Sequence, residues 1–286
     1  MPIDPLTELL KTNEDAVRAA KQVVATALEA NFSIDPIIGD ELSQSFAVIS
    51  SCVRRHGLLI QTTLADTLAT SGRFEVLSEI HVPITVAAND LLTSQNSNAA
   101  LAKIQLKSDS PVIRMAKLDL IVIDSERGWA GAYDVKRGNG ETAWNKRKPI
   151  ERDLRATRLV LASHLKKLGH DVDRVTTAVI DYYGGSGFSR DIKLVRDELN
   201  AHFGVAVVER IETMTAALRQ EMHTRLGAIL EPAISKLNAA RKPKVVKPAP
   251  EPETPIEQHD WLTSVLQARP LGPGQWIAPA VSSNAR

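Results

Sequence analysis

The sequence predicts an α/β fold, a mixed central β-sheet flanked by helices, with helices at the N-terminal end and one long helix near the C-terminal end. Three observations carry that expectation. Residues 112–138, VIRMAKLDLIVIDSERGWAGAYDVKRG, hold two apolar runs, LDLIVID and GAYDV, on either side of a turn-rich segment at 125–128. β-branched residues bounded by Gly, Asp and Ser favour two strands of a hairpin over a helix. A second apolar run, TTAVIDYY, has the continuous character of a strand buried on both faces. Around these runs the periodicities alternate as helix, strand, hairpin, helix, strand, helix, strand, the order expected for a sheet with helices packed on both faces.

Residues 13–30 read as a helix with Asn13 at its N-cap and Val17, Ala20, Val24, Ala27 and Leu28 on one side. Pro36 and Gly39 break it. A second helix, 40–55, carries Leu42, Phe46, Ile49 and Val53, and a third, 58–70, carries Leu59, Leu64 and Leu68, with Gly57 between them. Residues 74–85, FEVLSEIHVPIT, alternate as a strand that sets Glu75 and Glu79 on the face of Leu77 and His81. The polar stretch 87–110 reads as an insertion or loop, and the hairpin follows.

Residues 139–149, NGETAWNKRKP, read as a basic loop containing Trp144. A helix over 150–168 then points Leu154, Leu161, Leu165 and Leu168 inward while Arg152, Arg155 and Arg158 recur every three residues on another side. The strand 175–183 ends in the glycine-rich 184–187, followed by a helix over 189–202 and a short strand over 205–211. A long helix over 213–241 places Met214, Leu218, Met222, Leu226, Ile229 or Leu230, Ile234 and Leu237 at spacings of three and four, with a kink expected at Pro232. Residues 242–255, KPKVVKPAPEPETP, have the composition of an extended linker, and the tail beyond, with Trp261 and Trp276, has no periodicity. The organisation expected is a helical extension over 1–39, an α/β core over 40–211, the helix 212–241, and a linker and tail over 242–286.

The bulk composition bounds the function only loosely. At 286 residues, with 43% hydrophobic and 24% charged residues and a formal net charge of +1, the chain reads as a globular protein with a substantial core. Near-neutral charge leaves room for a local basic stripe but offers no sign of a polyanion partner by itself. One cysteine, Cys52, excludes an intrachain disulfide and a Cys-based zinc cluster. The absence of a leader-like N-terminus or an apolar span makes a cytoplasmic location the expectation.

The chemistry sits in the hairpin. Asp119 lies within an apolar run, and Asp134 and Lys136, two apart on the second strand, share a face. A carboxylate removed from water costs on the order of several kcal/mol unless a cation compensates it. Two acids and an ammonium at one point meet that condition with a divalent cation between the acids. The same residues also fit a solvated hairpin face on which Lys136 simply pairs with Asp134.

Asp119 followed fifteen residues later by Asp134-Val135-Lys136 resembles the signature of the PD-(D/E)xK nuclease superfamily, whose fold is restriction-endonuclease-like. The resemblance spans roughly 41–211, and Leu118 stands where the Pro that names the motif would be. It implies that Asp119 and Asp134 hold Mg²⁺, with Mn²⁺ as a substitute, and that Lys136 orients or activates the attacking water. It also implies an accessory acid from a preceding helix or strand, for which Glu79 and Glu41 are the candidates, Gln61 standing where the helix next to the first strand would offer one. The function implied is a metal-dependent nuclease acting on DNA. Hard oxygen donors unaccompanied by thiolates or paired imidazoles agree with Mg²⁺.

Lys146, Arg147, Lys148 and the helix face of Arg152, Arg155 and Arg158 offer phosphate contacts just downstream, or else a solvated surface. Trp144 offers a ring on which a base stacks, or one that packs on the domain. The long helix offers a homodimer seam or packs back on its own sheet, and the tail offers a segment that docks on a protein partner. Two other functions stay open: a noncatalytic nucleic-acid or protein interaction module with the same fold, and a nucleotide-binding protein using the GGSG loop, which lacks the spacing of a dinucleotide fingerprint and the Walker lysine.

Overall fold

The structure is a computed structural model and describes residues 13–241, apart from Gln95, Ser97, Ala102 and Ser108. The side chains of Glu41, Asn98, Ala99, Ala240 and Arg241 also lie outside the described residues, as do the expected linker and the tail with Trp261 and Trp276. The described residues belong to the first of two units, the one that ends at Arg241.

The first unit is a five-stranded mixed sheet between two helical layers, in the order β1(Glu75–Thr85), β2(Val112–Asp124), β3(Trp129–Lys136), β4(Arg174–Asp181) and β5(Lys193–Leu194). The first three strands form an antiparallel meander, and β4 and β5 run parallel to β3. The expected hairpin is β2 and β3, with Asp124 paired to Trp129 across the turn. One face of the sheet meets α1(Asn13–Glu29), α2(Asp40–Thr70), α6(Arg196–Phe203) and α7(Val207–Arg241). The other is covered mainly by α5(Trp144–Lys167), with the short α3(Val86–Thr93) beside it. Tyr133, Leu120 and Val122 anchor the first core, and Ile121, Ile123, Ala130 and Ala132 the second. Alternating burial of this kind is what a strand sandwiched between two layers requires.

Several elements differ from the sequence expectation. Residues 40–70 form one continuous helix, because Gly57 has ample room beside Arg137 and no turn conformation. A glycine there costs about 1 kcal/mol of helix propensity, which the buried stripe Val48, Cys52, Leu59, Ile60, Leu64 and Leu68 offsets. Continuity also resets the helical phase. Phe46 and Val53, expected inside, are exposed, and Ser45, Val48 and Cys52 take the inner face.

The stretch read as a loop at 87–110 contains α3, whose first turn is capped by Thr85 Oγ1 accepting from the Ala88 amide at 3.3 Å, and the single turn α4(Asn98–Leu101). The helix α5 begins at Trp144 rather than at 150 and carries Pro149 as its sixth residue, past the first turn, so one i→i−4 hydrogen bond is given up there. Leu168, expected inward, is exposed. A single 3-10 turn at Arg190–Ile192 and the short β5 precede α6, in place of one helix over 189–202. The strand expected at 205–211 is the first part of α7. Val207, Ile211, Met214 and Leu218 are all buried at helical spacing, so packing on α1 and α2 wins over local β propensity.

Tyr133 fixes the centre of the first core. Its ring is fully buried, its hydroxyl is 2.6 Å from His202 Nε2, and it lies edge-on to Phe203. It fits because Gly131, two residues earlier on the same face, has no side chain: a Cβ there would sit 2.0 Å from the Tyr133 hydroxyl oxygen. Gly131→Ala therefore overpacks a locked site, and a loss of roughly 3 kcal/mol is expected from the cost of overpacking, measurable by urea denaturation. A shift below about 0.5 kcal/mol, the range of an ordinary surface change, would contradict the packing described.

Candidate active site in the β2–β3 hairpin

The β2–β3 ladder stops at Leu120↔Tyr133, and one step further Asp119 and Asp134 stand opposite each other. There the Val135 amide donates to Asp119 Oδ2 at 2.6 Å. Lys136 Nζ lies 2.5 Å from Asp134 Oδ1 and 3.9 Å from Asp119 Oδ2. The two acids and the amine thus converge, as the spacing of two on β3 and the antiparallel register require. Asp134 and Lys136 continue the face of Ala130 and Ala132, the side covered by α5.

The electrostatics of the trio are unbalanced. Burial, then the neighbouring Asp134, raises the Asp119 carboxyl above the usual carboxylate range, with the Val135 amide and Lys136 working against them. Asp134 Oδ1 is buried and takes no hydrogen bond of proper geometry, its close neighbour Lys136 lying off that geometry. A buried carboxylate oxygen met by a single ammonium keeps unused acceptor capacity. It is a ready donor to a cation.

Of the two accessory acids, Glu79 stands beside Asp119, and its charge helps to raise the Asp119 carboxyl. Glu79 lies opposite Asp119 by register, between the pairs Ser78↔Leu120 and Ile80↔Leu118. Its φ of 55° breaks the alternation of β1, at a cost of about 1–3 kcal/mol for a non-glycine residue. The carboxylate pairs with Lys117 and accepts from Gln61 Nε2 at 3.2 Å. Burial works to raise its pKa, but the hydrogen bonds from Lys117 and Gln61 prevail and hold it below the usual range. Glu41 is on the first turn of α2, and its side chain lies outside the described residues. Among the described residues, no three of His, Cys, Asp and Glu form a group able to hold a metal ion. The donor set near the hairpin is two carboxylates and their backbone.

Trp144 is exposed, with Lys148 Nζ 4.3 Å and Arg147 Cζ 5.4 Å from its ring centre. Arg147 also pairs with Glu141 at 2.9 Å. Lys146, Lys148 and Arg152 face solvent, whereas Arg155 pairs with Asp191 at 3.0 Å and Arg158 Nη1 donates to the Leu101 carbonyl at 3.2 Å. The candidate phosphate-gripping face is therefore narrower than the three-residue recurrence suggests, and it centres on the first turns of α5.

The GGSG loop closes inward. The Gly184 amide donates to the Asp181 carbonyl, the Gly185 amide to the Gly138 carbonyl and the Ser186 amide to Asp181 Oδ2. Asp181, fully buried and also bonded by Ser186 Oγ at 2.7 Å, is the hub of the turn. It went unnoticed in the sequence because the run VIDYY reads as simple strand. Three amides spent inside the fold leave little of the cradle that phosphate binding on this loop would need.

Across the sheet, His56 is buried between the Arg137 guanidinium, whose Nε donates to Nδ1 at 3.1 Å, and Thr215 Oγ1, 2.9 Å from Nε2. Burial first, then the charge of Arg137, lowers its pKa to about 4. With the unfolded value near 6.5, stability from keeping His56 neutral is complete above that pH and is lost as pH falls toward 4, by about 3 kcal/mol at most. Melting curves from pH 7 to pH 4.5 should show that loss in wild type and a shallower slope in His56→Gln. Equal slopes would contradict it.

The chain matches no family model, no curated protein and no solved structure.

Proposed function

We propose that the chain is a Mg²⁺-dependent nuclease that hydrolyses DNA phosphodiesters, with the restriction-endonuclease-like fold and PD-(D/E)xK chemistry that the hairpin resembles. The observation that carries the reading is the meeting of Asp119, Asp134 and Lys136, with the buried Asp134 Oδ1 met by the Lys136 ammonium. Support also comes from the order α2, β1, hairpin, α5, β4, the order on which the resemblance rests.

The residues fit a divalent cation: two hard carboxylates, one of them raised in pKa by burial and then by the other, are relieved when a cation replaces the proton. Asp119 and Asp134 would hold it. When bound, the ion supplies a Lewis acid for a nonbridging phosphate oxygen and lowers the pKa of a coordinated water. Lys136, anchored to Asp134, offers an ammonium that orients the attacking water and offsets the negative charge that builds on the phosphate. Lys146, Lys148 and Arg152 supply phosphate contacts on the adjacent turns of α5, and Trp144 a ring for stacking. The exposed Ile234 and Leu237 on the last part of α7 leave a seam for a second copy, which would bring two sites to one duplex.

The test is incubation of the protein with supercoiled plasmid and with single-stranded DNA, in Mg²⁺ and in EDTA. Cleavage in Mg²⁺ that EDTA abolishes is the expected result. Salt-sensitive binding of DNA with no cleavage in Mg²⁺ or Mn²⁺ would replace this reading with the noncatalytic interaction module.

A further inference from the structure

A second polar cavity lies on the opposite side of the sheet from Asp134 and Lys136. It measures about 200 Å³ and is lined by His56, Arg137, Tyr183, Thr215, Arg219 and His223, with Cys52, Leu218 and Met222 among the apolar walls. The chain builds it at the carboxyl ends of two parallel strands. Arg137 directly follows β3 and Tyr183 comes just after β4, and the Tyr183 amide donates to the Arg137 carbonyl at 3.0 Å. Because side chains alternate along a strand, Arg137 turns toward α2 and α7 where Lys136 turns toward α5. Crevices outside the carboxyl ends of strands are where open α/β sheets bind ligands.

The charge in this cavity is uncompensated. Among the described residues, neither Arg137 nor Arg219 lies within ion-pair distance of a carboxylate. Glu212, the carboxylate that acts on His56, is turned away, accepting from the Tyr182 hydroxyl at 2.8 Å and from Arg196 Nη1 at 3.5 Å. His56 holds Arg137 by Nε alone, so the two terminal nitrogens of the fork are not used in that bond. The imidazole, kept neutral by its burial, accepts that bond and passes its other N–H to Thr215. The exposed Tyr183 ring stands 5.9 Å from the guanidinium and forms one wall of the mouth. Apolar walls beside a few convergent polar groups are the usual make-up of a small-ligand site.

We infer that this cavity binds a phosphate group, held by the Arg137 fork and Arg219 with Tyr183 and His223 at its rim. A guanidinium fork matches phosphate geometry with two parallel hydrogen bonds, and low-dielectric walls strengthen them. The volume admits a phosphate with part of its ester, so the group belongs either to a free nucleotide or to a nucleic-acid end.

The test uses the full chain in EDTA, so that binding is read without hydrolysis and stands or falls apart from the nuclease proposal. Calorimetry with inorganic phosphate and with adenosine monophosphate is paired with fluorescence anisotropy of one oligonucleotide carrying either a 5′-phosphate or a 5′-hydroxyl. Wild type should bind phosphate, and Arg219→Gln and Arg137→Gln should each weaken it by ~10-fold, the scale of a charge-assisted hydrogen bond. Arg219 is exposed, so its variant should melt with wild type even if the Arg137 variant does not. Tighter binding of the 5′-phosphorylated strand marks a nucleic-acid end as the source, and tight monophosphate binding without that difference marks a free nucleotide. No binding of phosphate or monophosphate together with equal affinity for both strands would overturn the proposal, as would wild-type phosphate affinity in Arg219→Gln.

Discussion

Asp134→Asn should abolish Mg²⁺-dependent cleavage, by at least ~10³-fold, while leaving the metal-free protein more stable than wild type. Both halves follow from the same geometry. The Asp134 carboxylate is buried, faces Asp119 across the hairpin, and is met at Oδ1 by Lys136 at 2.5 Å. Replacing it by an amide removes a like-charge repulsion and releases Lys136 to Asp119, to which it is already within 3.9 Å. A gain of about 1 kcal/mol would raise the melting temperature by about 2–4 °C in a domain of this size. A neutral amide is a much poorer partner for a divalent cation, and losing one of two carboxylates costs the transition state about 4 kcal/mol, equivalent to the rate loss expected. A residue kept for stability behaves the other way: its loss lowers the melting point and leaves catalysis alone. Scanning calorimetry in EDTA alongside a cleavage assay separates the two, and a lowered melting point with retained cleavage would make the trio a structural ion pair.

The second large effect lies away from the site. Asp124, at the end of β2, is almost fully buried, and Arg73 between α2 and β1 meets it through Nε at 2.9 Å and Nη2 at 2.8 Å. The remaining terminal nitrogen of Arg73 donates to the Phe203 carbonyl at 3.0 Å, which ties the hairpin turn to the end of α6. Asp124 Oδ1 also accepts from the Arg127 amide at 3.1 Å, holding the turn itself. Arg73→Met leaves the buried carboxylate with Arg127, whose Nε is 3.9 Å away and largely exposed, as its remaining ion-pair partner. Breaking a buried pair by removing one partner typically costs about 3–5 kcal/mol, more than the pair contributes relative to an apolar isostere. The double variant Arg73→Met, Asp124→Leu should therefore recover much of the loss. Chemical denaturation of the two variants checks this, and a cost below 1 kcal/mol for Arg73→Met would show that the clamp is dispensable.

The features legible in the sequence are those whose signal is local. The hairpin announced itself through β-branched runs around a turn, and the antiparallel register did the rest, bringing Asp119 to Asp134 and Lys136. Glu79 shows where locality fails. Its place on the strand is readable, but its φ of 55° and its partners Lys117 and Gln61, which come from neighbouring elements, are not. Val207 to Ile211 looked like strand because the apolar residues are β-branched. The helix is imposed by Met214 and Leu218 further along, which extend the same buried stripe. Gly57 reads as a separator and Pro149 as the end of a loop, yet both sit inside helices. The cavity around Arg137 joins residues from α2, the segments just after β3 and β4, and α7 that are as much as 171 positions apart, Cys52 to His223. No window along the chain contains such a cluster, so only the fold reveals it.

One measurement bears most directly on the proposal that Asp119, Asp134 and Lys136 act as a single catalytic unit. Plasmid and single-stranded DNA are incubated with wild type and Lys136→Ala in Mg²⁺, with DNA affinity measured in EDTA for both. Cleavage lost in Lys136→Ala while DNA affinity stays within a few fold of wild type is the predicted result. Equal cleavage by the two proteins would contradict it.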